Sequence, residues 1–340
     1  MLYFDNAATT WPKPAEVKSA VFSALIYYGA NPGRSGHKMA METAAQVFKC
    51  REKAAAFFGC SELENVVFTK NCTEALNIAI KSAAFGGHCV ISDLEHNSVL
   101  RPLYDMQLRG EAAFSVAEVD LHDEEQTLAN FEHEMRNNTK AVAVTGASNA
   151  FGIKPPVLKI AKLAHRYGAL FILDAAQTAG SEKYNMEQSE IDILCAPGHK
   201  GLLGPMGTGI LAAQKPEILK PVLFGGTGSF SLDFAQPQDM PERLESGARN
   251  VPGICGLSAG IEKIASEGET AVAKREMQLA QMIYAELLSM NNVTLFTPFP
   301  DEKGFAPVIS FVIGDLTGEQ TAAALAEKGA AARGGFHCAA

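Results

Sequence analysis

Two clusters of side chains in this chain have the types and spacing for covalent chemistry on a carbonyl. Gly198-His199-Lys200-Gly201 sets a lysine among small residues just after the apolar run 191–196. Burying an ammonium is costly unless it is paired or neutralised. A desolvated lysine has a lowered pKa and forms a Schiff base with a carbonyl. Asp174-Ala175-Ala176-Gln177 closes the apolar run 169–173, which puts a carboxylate at the end of a buried strand. A lone aspartate there more often caps the next segment. A third cluster, Arg333-Gly334-Gly335-Phe336-His337-Cys338, sets a thiol on a Gly-rich loop beside Arg333 and His337. Most terminal cysteines are idle, but that electropositive setting favours thiolate.

Other chemistries find less support. The Gly-rich stretch 198–209 contains neither GxGxxG nor GxxxxGK followed by Ser or Thr, so it is a poor nucleotide loop. Cys195 with His199, or His337 with Cys338, lacks a full set of metal ligands, and no metal is expected. The 7 cysteines are odd in number, widely spaced and without a CxxC, which disfavours a disulfide framework. Cys89 in a strand, Cys195 at a strand end, and Cys50 and Cys60 flanking a helical segment are read as packing.

The elements that must position these groups show as apolar runs alternating with helical patterns. Strand-like runs fall at 66–69, 89–92, 113–119, 141–145, 169–174 and 191–196, with helical stretches at 73–84, 124–135 and 156–167. Repeated β-then-α order with β-branched strands implies α/β architecture, a mostly parallel central sheet with helices on both faces. The run 207–213 follows a short loop and reads as a strand added antiparallel. Residues 224–241 read as a long ordered loop, of the kind that is more often functional than filler. A long helix follows, then strands near 293–296 and 307–312 and a helix near 318–328, a smaller α+β domain. The chain has 340 residues, 47% hydrophobic and 20% charged, and a net charge of −9. That balance gains nothing from counterion release on nucleic acid. The longest uncharged stretch, residues 19–33, is broken by Asn31 and Pro32 and too short to span a bilayer. With no basic-then-apolar leader, the expected location is cytoplasmic.

The first two clusters together resemble the pyridoxal-phosphate enzymes of the class V aminotransferase family, and its cysteine desulfurase branch in particular. Their shared logic is a lysine that anchors an aldehyde and a carboxylate that keeps a pyridine nitrogen protonated as an electron sink. The resemblance runs along the chain in order. Asp5-Asn6-Ala7-Ala8-Thr9-Thr10 is similar to the family's opening segment near the substrate, and Asn31-Pro32-Gly33-Arg34-Ser35-Gly36-His37 to its next glycine-arginine loop. Phe68-Thr69-Lys70-Asn71-Cys72-Thr73-Glu74-Ala75 resembles the segment that holds the cofactor phosphate. There a strand feeds a helix N-terminus whose free N–H groups suit an anion. Thr73 alone would be read as a helix cap.

What the resemblance implies is specific. The fold would be a fold-type I PLP-dependent transferase, and the cofactor pyridoxal 5'-phosphate. Thr73, Glu74 and His199 would bind its phosphate end, His96 would stack on its ring and relay protons, and Asn149 and Gln177 would approach its 3-oxygen. Asp174 would pair its ring nitrogen and Lys200 hold its aldehyde. Ala8, Arg34, Asn149 and Arg333 would line the substrate, and Cys338 would be the nucleophile that takes sulfur from L-cysteine as a persulfide. A large domain over 14–250 and a small domain from 1–13 with 251–340 are expected, in a homodimer that passes sulfur to an acceptor protein or small thiol. L-Selenocysteine as substrate, another class V reaction, or a non-catalytic scaffold are the rival readings.

The match departs in two places. Leu244-Glu245-Ser246-Gly247-Ala248 resembles the segment that lends a threonine to the neighbouring subunit's phosphate, yet Ala248 cannot donate a side-chain hydrogen bond. Thr227 in the long loop is the expected substitute. The sequence also stops two residues after Cys338, where family members continue and supply an arginine for the substrate carboxylate, so the small domain is expected to be incomplete.

Overall fold

The computed structural model describes residues 1–33, 36–229, 232–301 and 304–335. β1 (Leu2–Tyr3) leads to helices α1 (Ala15–Tyr27) and α2 (Lys38–Phe58). The alternation then runs β2 (Val66–Thr69), α3 (Cys72–Ala83), β3 (His88–Ser92), α4 (Asn97–Leu108), β4 (Ala113–Ala117) and α5 (Glu124–Glu134). It continues with β5 (Thr139–Thr145), α6 (Val157–Arg166), β6 (Leu170–Asp174), the short α7 (Met186–Ser189), β7 (Ile193–Pro197) and β8 (Gly209–Ala213). Last come α8 (Val251–Glu267), α9 (Glu269–Leu288), β9 (Val293–Leu295), β10 (Phe311–Ile313), α10 (Gly318–Glu327) and β11 (Ala330–Ala331).

Seven strands form the central sheet in the order β2-β8-β7-β6-β5-β3-β4. β8 runs antiparallel to both neighbours, as expected from its short connection, and the other strand pairs are parallel. The central strands read as continuous apolar runs because both sheet faces are covered. Val142, Val144, Phe171, Leu173 and Leu194 enter the core on one face. Ala141, Ala143, Ile172, Ile193 and Cys195 enter the other. The alternation is the period-2 geometry of a strand, so each strand serves both cores at once.

One local reading changes. Cys50 lies inside α2 rather than beside it, because the helix starts upstream, where the His37 side chain accepts the Ala40 N–H. Cys60 lies just past Gly59, whose left-handed backbone (φ 62°) ends that helix. Residues 224–229 and 232–241 contain no helix or strand, yet they are tied down. Gln236 Nε2 donates to Ser246 Oγ at 2.9 Å and Arg243 Nε to the Gln238 carbonyl at 2.7 Å. Outside the central sheet, β9 and β10 pair antiparallel. β1 pairs with β11 in parallel, Leu2 opposite Ala330, so the first residues lie along the last described strand.

Candidate active site

The site is built where the parallel strands end. Register places Thr145 beside Asp174 and Asp174 beside Cys195 across β5, β6 and β7. Asp174 is only 2% exposed. Its Oδ1 accepts the Ala176 N–H at 2.9 Å and faces the Cys72 thiol at 3.6 Å. Burial pushes this carboxyl upward, while the Ala176 N–H and the charges of Lys200 and His96 favour its anion. The turn after β7 carries Lys200. Burial lowers its ammonium pKa, and Asp174 opposes that shift. Each group is pressed toward neutrality by desolvation and held charged by the other.

The glycines flanking this turn are required by close approach. A Cβ on Gly201 would lie 2.2 Å from the Ala179 carbonyl oxygen, and one on Gly198 would lie 2.1 Å from Thr208 Oγ1. Lys200 is therefore presented by a turn packed against the Ala179 backbone on one side and the Thr208 side chain on the other.

Facing this turn is the N-terminus of α3. Asn71 caps it through Oδ1, which accepts the Glu74 N–H at 2.9 Å. Thr73 Oγ1 lies 2.8 Å from Ser98 Oγ, and Ser98 Oγ lies 2.9 Å from His96 Nδ1. His96 caps α4, its Nδ1 accepting the Ser98 N–H at 3.0 Å, which leaves the imidazole proton on Nε2. Burial lowers the His96 pKa. These residues, with Asn149, Gln177, His199, Asp174 and Lys200, line a cavity of about 190 Å³. His199 Nδ1 is buried without a partner among the described residues. Burial pushes its pKa down to about 4, so a neutral imidazole stands beside the cavity. Unspent helix N–H groups and a spare ring nitrogen suit an anionic ligand, and the carboxylate–lysine pair suits a cationic ring and an aldehyde. Among the described residues no group of three or more His, Cys, Asp or Glu could hold a metal ion.

Not every expected residue joins this wall. Glu74 turns back to the chain, its Oε2 accepting the Lys70 N–H at 2.6 Å, and so it supports the helix start rather than a ligand. Thr227 bonds Ser229 Oγ at 2.9 Å and borders a separate hollow with Pro32, Gly33 and Arg249. Ala8 sits in the turn beside Ala7, whose carbonyl accepts Gln177 Nε2 at 3.2 Å. Arg333 forms a two-pronged pair with Asp5, both distances 2.9 Å, close enough to Lys200 to lower its pKa. Arg34 and Cys338 lie outside the described residues. Cys72 and Ser98 went unassigned at the sequence level. Cys72 lies in the quoted motif at a helix start and Ser98 two residues after His96, and only the fold turns them toward the cavity.

A model of the family described as aminotransferase class-V matches residues 2–340. The chain belongs to this family. It is 31% identical to a probable cysteine desulfurase of Methanothermobacter thermautotrophicus, over 99% of this chain and 84% of that one. It is 32% identical to a probable cysteine desulfurase of Pyrococcus abyssi, over 100% and 85%. Among solved structures, the apo cysteine desulfurase of Thermococcus onnurineus NA1 superposes with a TM-score of 0.88 at 32% identity, covering 99% of this chain and 85% of that one. The class-V chain described here thus shares the fold-type I α/β architecture of its structural neighbours.

Proposed function

We propose that this class-V protein is a pyridoxal 5'-phosphate-dependent cysteine desulfurase that converts L-cysteine to L-alanine. The observation that carries the reading is Lys200 and Asp174 on one buried wall facing the α3 N-terminus. Relatives 31 and 32% identical bear the name cysteine desulfurase. The residues fit the cofactor. The first N–H groups of α3, Thr73 and the spare nitrogen of His199 suit its phosphate end. Asp174 suits the pyridine nitrogen, His96 the ring face, and Asn149 and Gln177 the 3-oxygen. When bound, this group supplies an electron sink for charge left at the substrate Cα. Lys200 would hold the aldehyde and, as a free amine, would take the substrate Cα proton, a role its lowered pKa suits. Asp174 would keep the ring nitrogen protonated. Arg333, Ala8 and Arg34 are assigned to the substrate side.

Cys338 is assigned the sulfur from its sequence setting. Its thiolate forms an S–S bond to the substrate sulfur as the Cβ–S bond breaks, and the electron pair left at Cβ takes a proton. The net change is L-cysteine plus enzyme thiol to L-alanine plus enzyme persulfide, which an acceptor protein or small thiol then discharges. The dimer assigned to the chain would cover Phe224, Leu232 and Phe234, which stand exposed near Thr227, and would let Thr227 serve the partner's phosphate. No described helix is long and apolar enough to cross a membrane. The six described cysteines are free and buried, as suits a reducing, cytoplasmic setting.

The test is production of alanine and sulfide from L-cysteine by the parent and by Cys338→Ala. Turnover in the variant should fall to background. Equal release by both removes Cys338 as nucleophile. If protein purified with added cofactor lacks an absorbance band that borohydride abolishes, the whole reading fails.

A further inference from the structure

The backbone that presents Lys200 is gripped by a segment far away in sequence. The His199 carbonyl accepts three donors from the N-terminal stretch: Thr10 N–H at 3.1 Å, Thr9 Oγ1 at 3.2 Å and Lys13 Nζ at 2.7 Å. The next carbonyl, that of Lys200 itself, accepts Thr10 Oγ1 at 2.6 Å. Two consecutive peptides around the lysine are thus held by groups from the N-terminal stretch. The turn's own bonds, Leu203 N–H to the Lys200 carbonyl and Gly204 N–H to the Gly198 carbonyl, close it but leave the His199 carbonyl to the N-terminal stretch.

Lys13 is the unusual member. It is half-buried, and burial lowers its pKa to about 8. Among the described residues no carboxylate forms an ion pair with it. Desolvating an ammonium against a single carbonyl is unfavourable unless that charge-assisted bond is used. The same stretch also reaches the other walls of the site. The Ala7 carbonyl accepts Gln177 Nε2, and Asp5 pairs with Arg333. We propose that Thr10 and Lys13 are positioning residues for Lys200, forming a clamp that sets the direction of its amine and ties it to the wall carrying Gln177 and Arg333. The assignment rests on Lys200 being the cofactor lysine.

The test uses full-length protein freed of cofactor and mixed with pyridoxal 5'-phosphate, comparing the parent with Thr10→Val, Thr10→Ser, Lys13→Met and Lys13→Arg. The readouts are the rate of forming a borohydride-reducible adduct at Lys200, the circular dichroism of its visible band, and the melting temperature. Loss of one charge-assisted hydrogen bond should slow adduct formation about tenfold in Lys13→Met. The dichroic band should weaken in Thr10→Val and Lys13→Met and recover in Thr10→Ser and Lys13→Arg. Adduct formation at the parent rate with an unchanged dichroic band in Thr10→Val and Lys13→Met overturns the clamp while leaving the cofactor lysine intact. So does a loss that only tracks a lowered melting temperature and is not restored by the conservative variants. If the parent itself forms no adduct at Lys200, the cofactor reading fails first and the clamp with it.

Discussion

Glu95, one residue before His96, shows how far a single side chain here depends on its surroundings. It is 2% exposed, and its Oε1 takes the Ser92 hydroxyl and the Thr145 N–H. Its Oε2 has no partner among the described residues. Burial raises this carboxyl to about 8, and the Asp174 charge adds to the shift. The folded chain therefore holds a proton that the unfolded chain releases above its ordinary carboxylate range. The stability from this group is fully present below about pH 4.5 and is lost as pH rises through about 8. His88 and His199, both lowered to about 4 by burial, act the other way, adding stability only as pH rises from 4 to 6.5. Glu95→Gln should keep both accepted bonds without the titration. Urea unfolding of cofactor-free protein should show the parent losing up to about 4 kcal/mol relative to this variant between pH 5 and 9. Parallel pH curves for the two proteins would contradict the assignment.

At the scale of the element, α3 joins the core to the cavity. Its buried face, Ala75, Leu76, Ile78, Ala79 and Ile80, anchors it on the sheet, so the direction of its N-terminus is set by the core. Asn71 then satisfies one of the N–H groups that the helix cannot, while the Glu74 carboxylate takes the Lys70 N–H just outside. Asn71→Ala should destabilise the protein by about 1 kcal/mol in urea unfolding, and Asn71→Asp should not. A silent Asn71→Ala would mean the cap contributes nothing. Asn71, not Thr73, is the cap, and the Thr73 hydroxyl bonds Ser98 at the cavity.

At the scale of the whole molecule, one buried ion cluster fastens segments that the chain separates widely. Glu245 Oε1 accepts the Phe68 N–H of β2 at 2.8 Å, and its Oε2 takes Arg51 of α2 at 3.0 Å and Arg249 at 2.7 Å. Arg51 also donates to the Val66 carbonyl and lies over the Phe68 ring. The two members Arg51 and Glu245 are 6 and 1% exposed at their side chains. Breaking such a pair leaves an uncompensated buried charge. Glu245→Ala should cost about 3–5 kcal/mol by denaturant unfolding, with Arg249→Ala, on the more exposed arm, costing less. If Glu245→Ala unfolds like the parent, the cluster does not hold the molecule together.

Much of this protein is legible without coordinates. Strand positions and their mostly parallel type follow from apolar runs of β-branched residues, because a doubly covered parallel sheet demands continuous apolar strands. Lys200 between glycines and Asp174 at a strand end stand out because neither belongs beside an apolar run without a reason. The start of α2 was missed, because its N-terminal half is weakly patterned and a histidine caps it. The motif neighbours of Glu74 face the cavity, but its own carboxylate turns back to accept the Lys70 N–H. Other facts had no local signature. The grip of Thr10 and Lys13 on the Lys200 turn spans 190 and 186 positions, and the thiol of Cys72 meets Asp174 across 102. Periodicity and motif report what a residue does to its neighbours in the chain. Which distant carbonyl meets a half-buried ammonium, and which helix end faces which turn, is decided only when the sheet closes and desolvation presses most buried polar groups to find a partner.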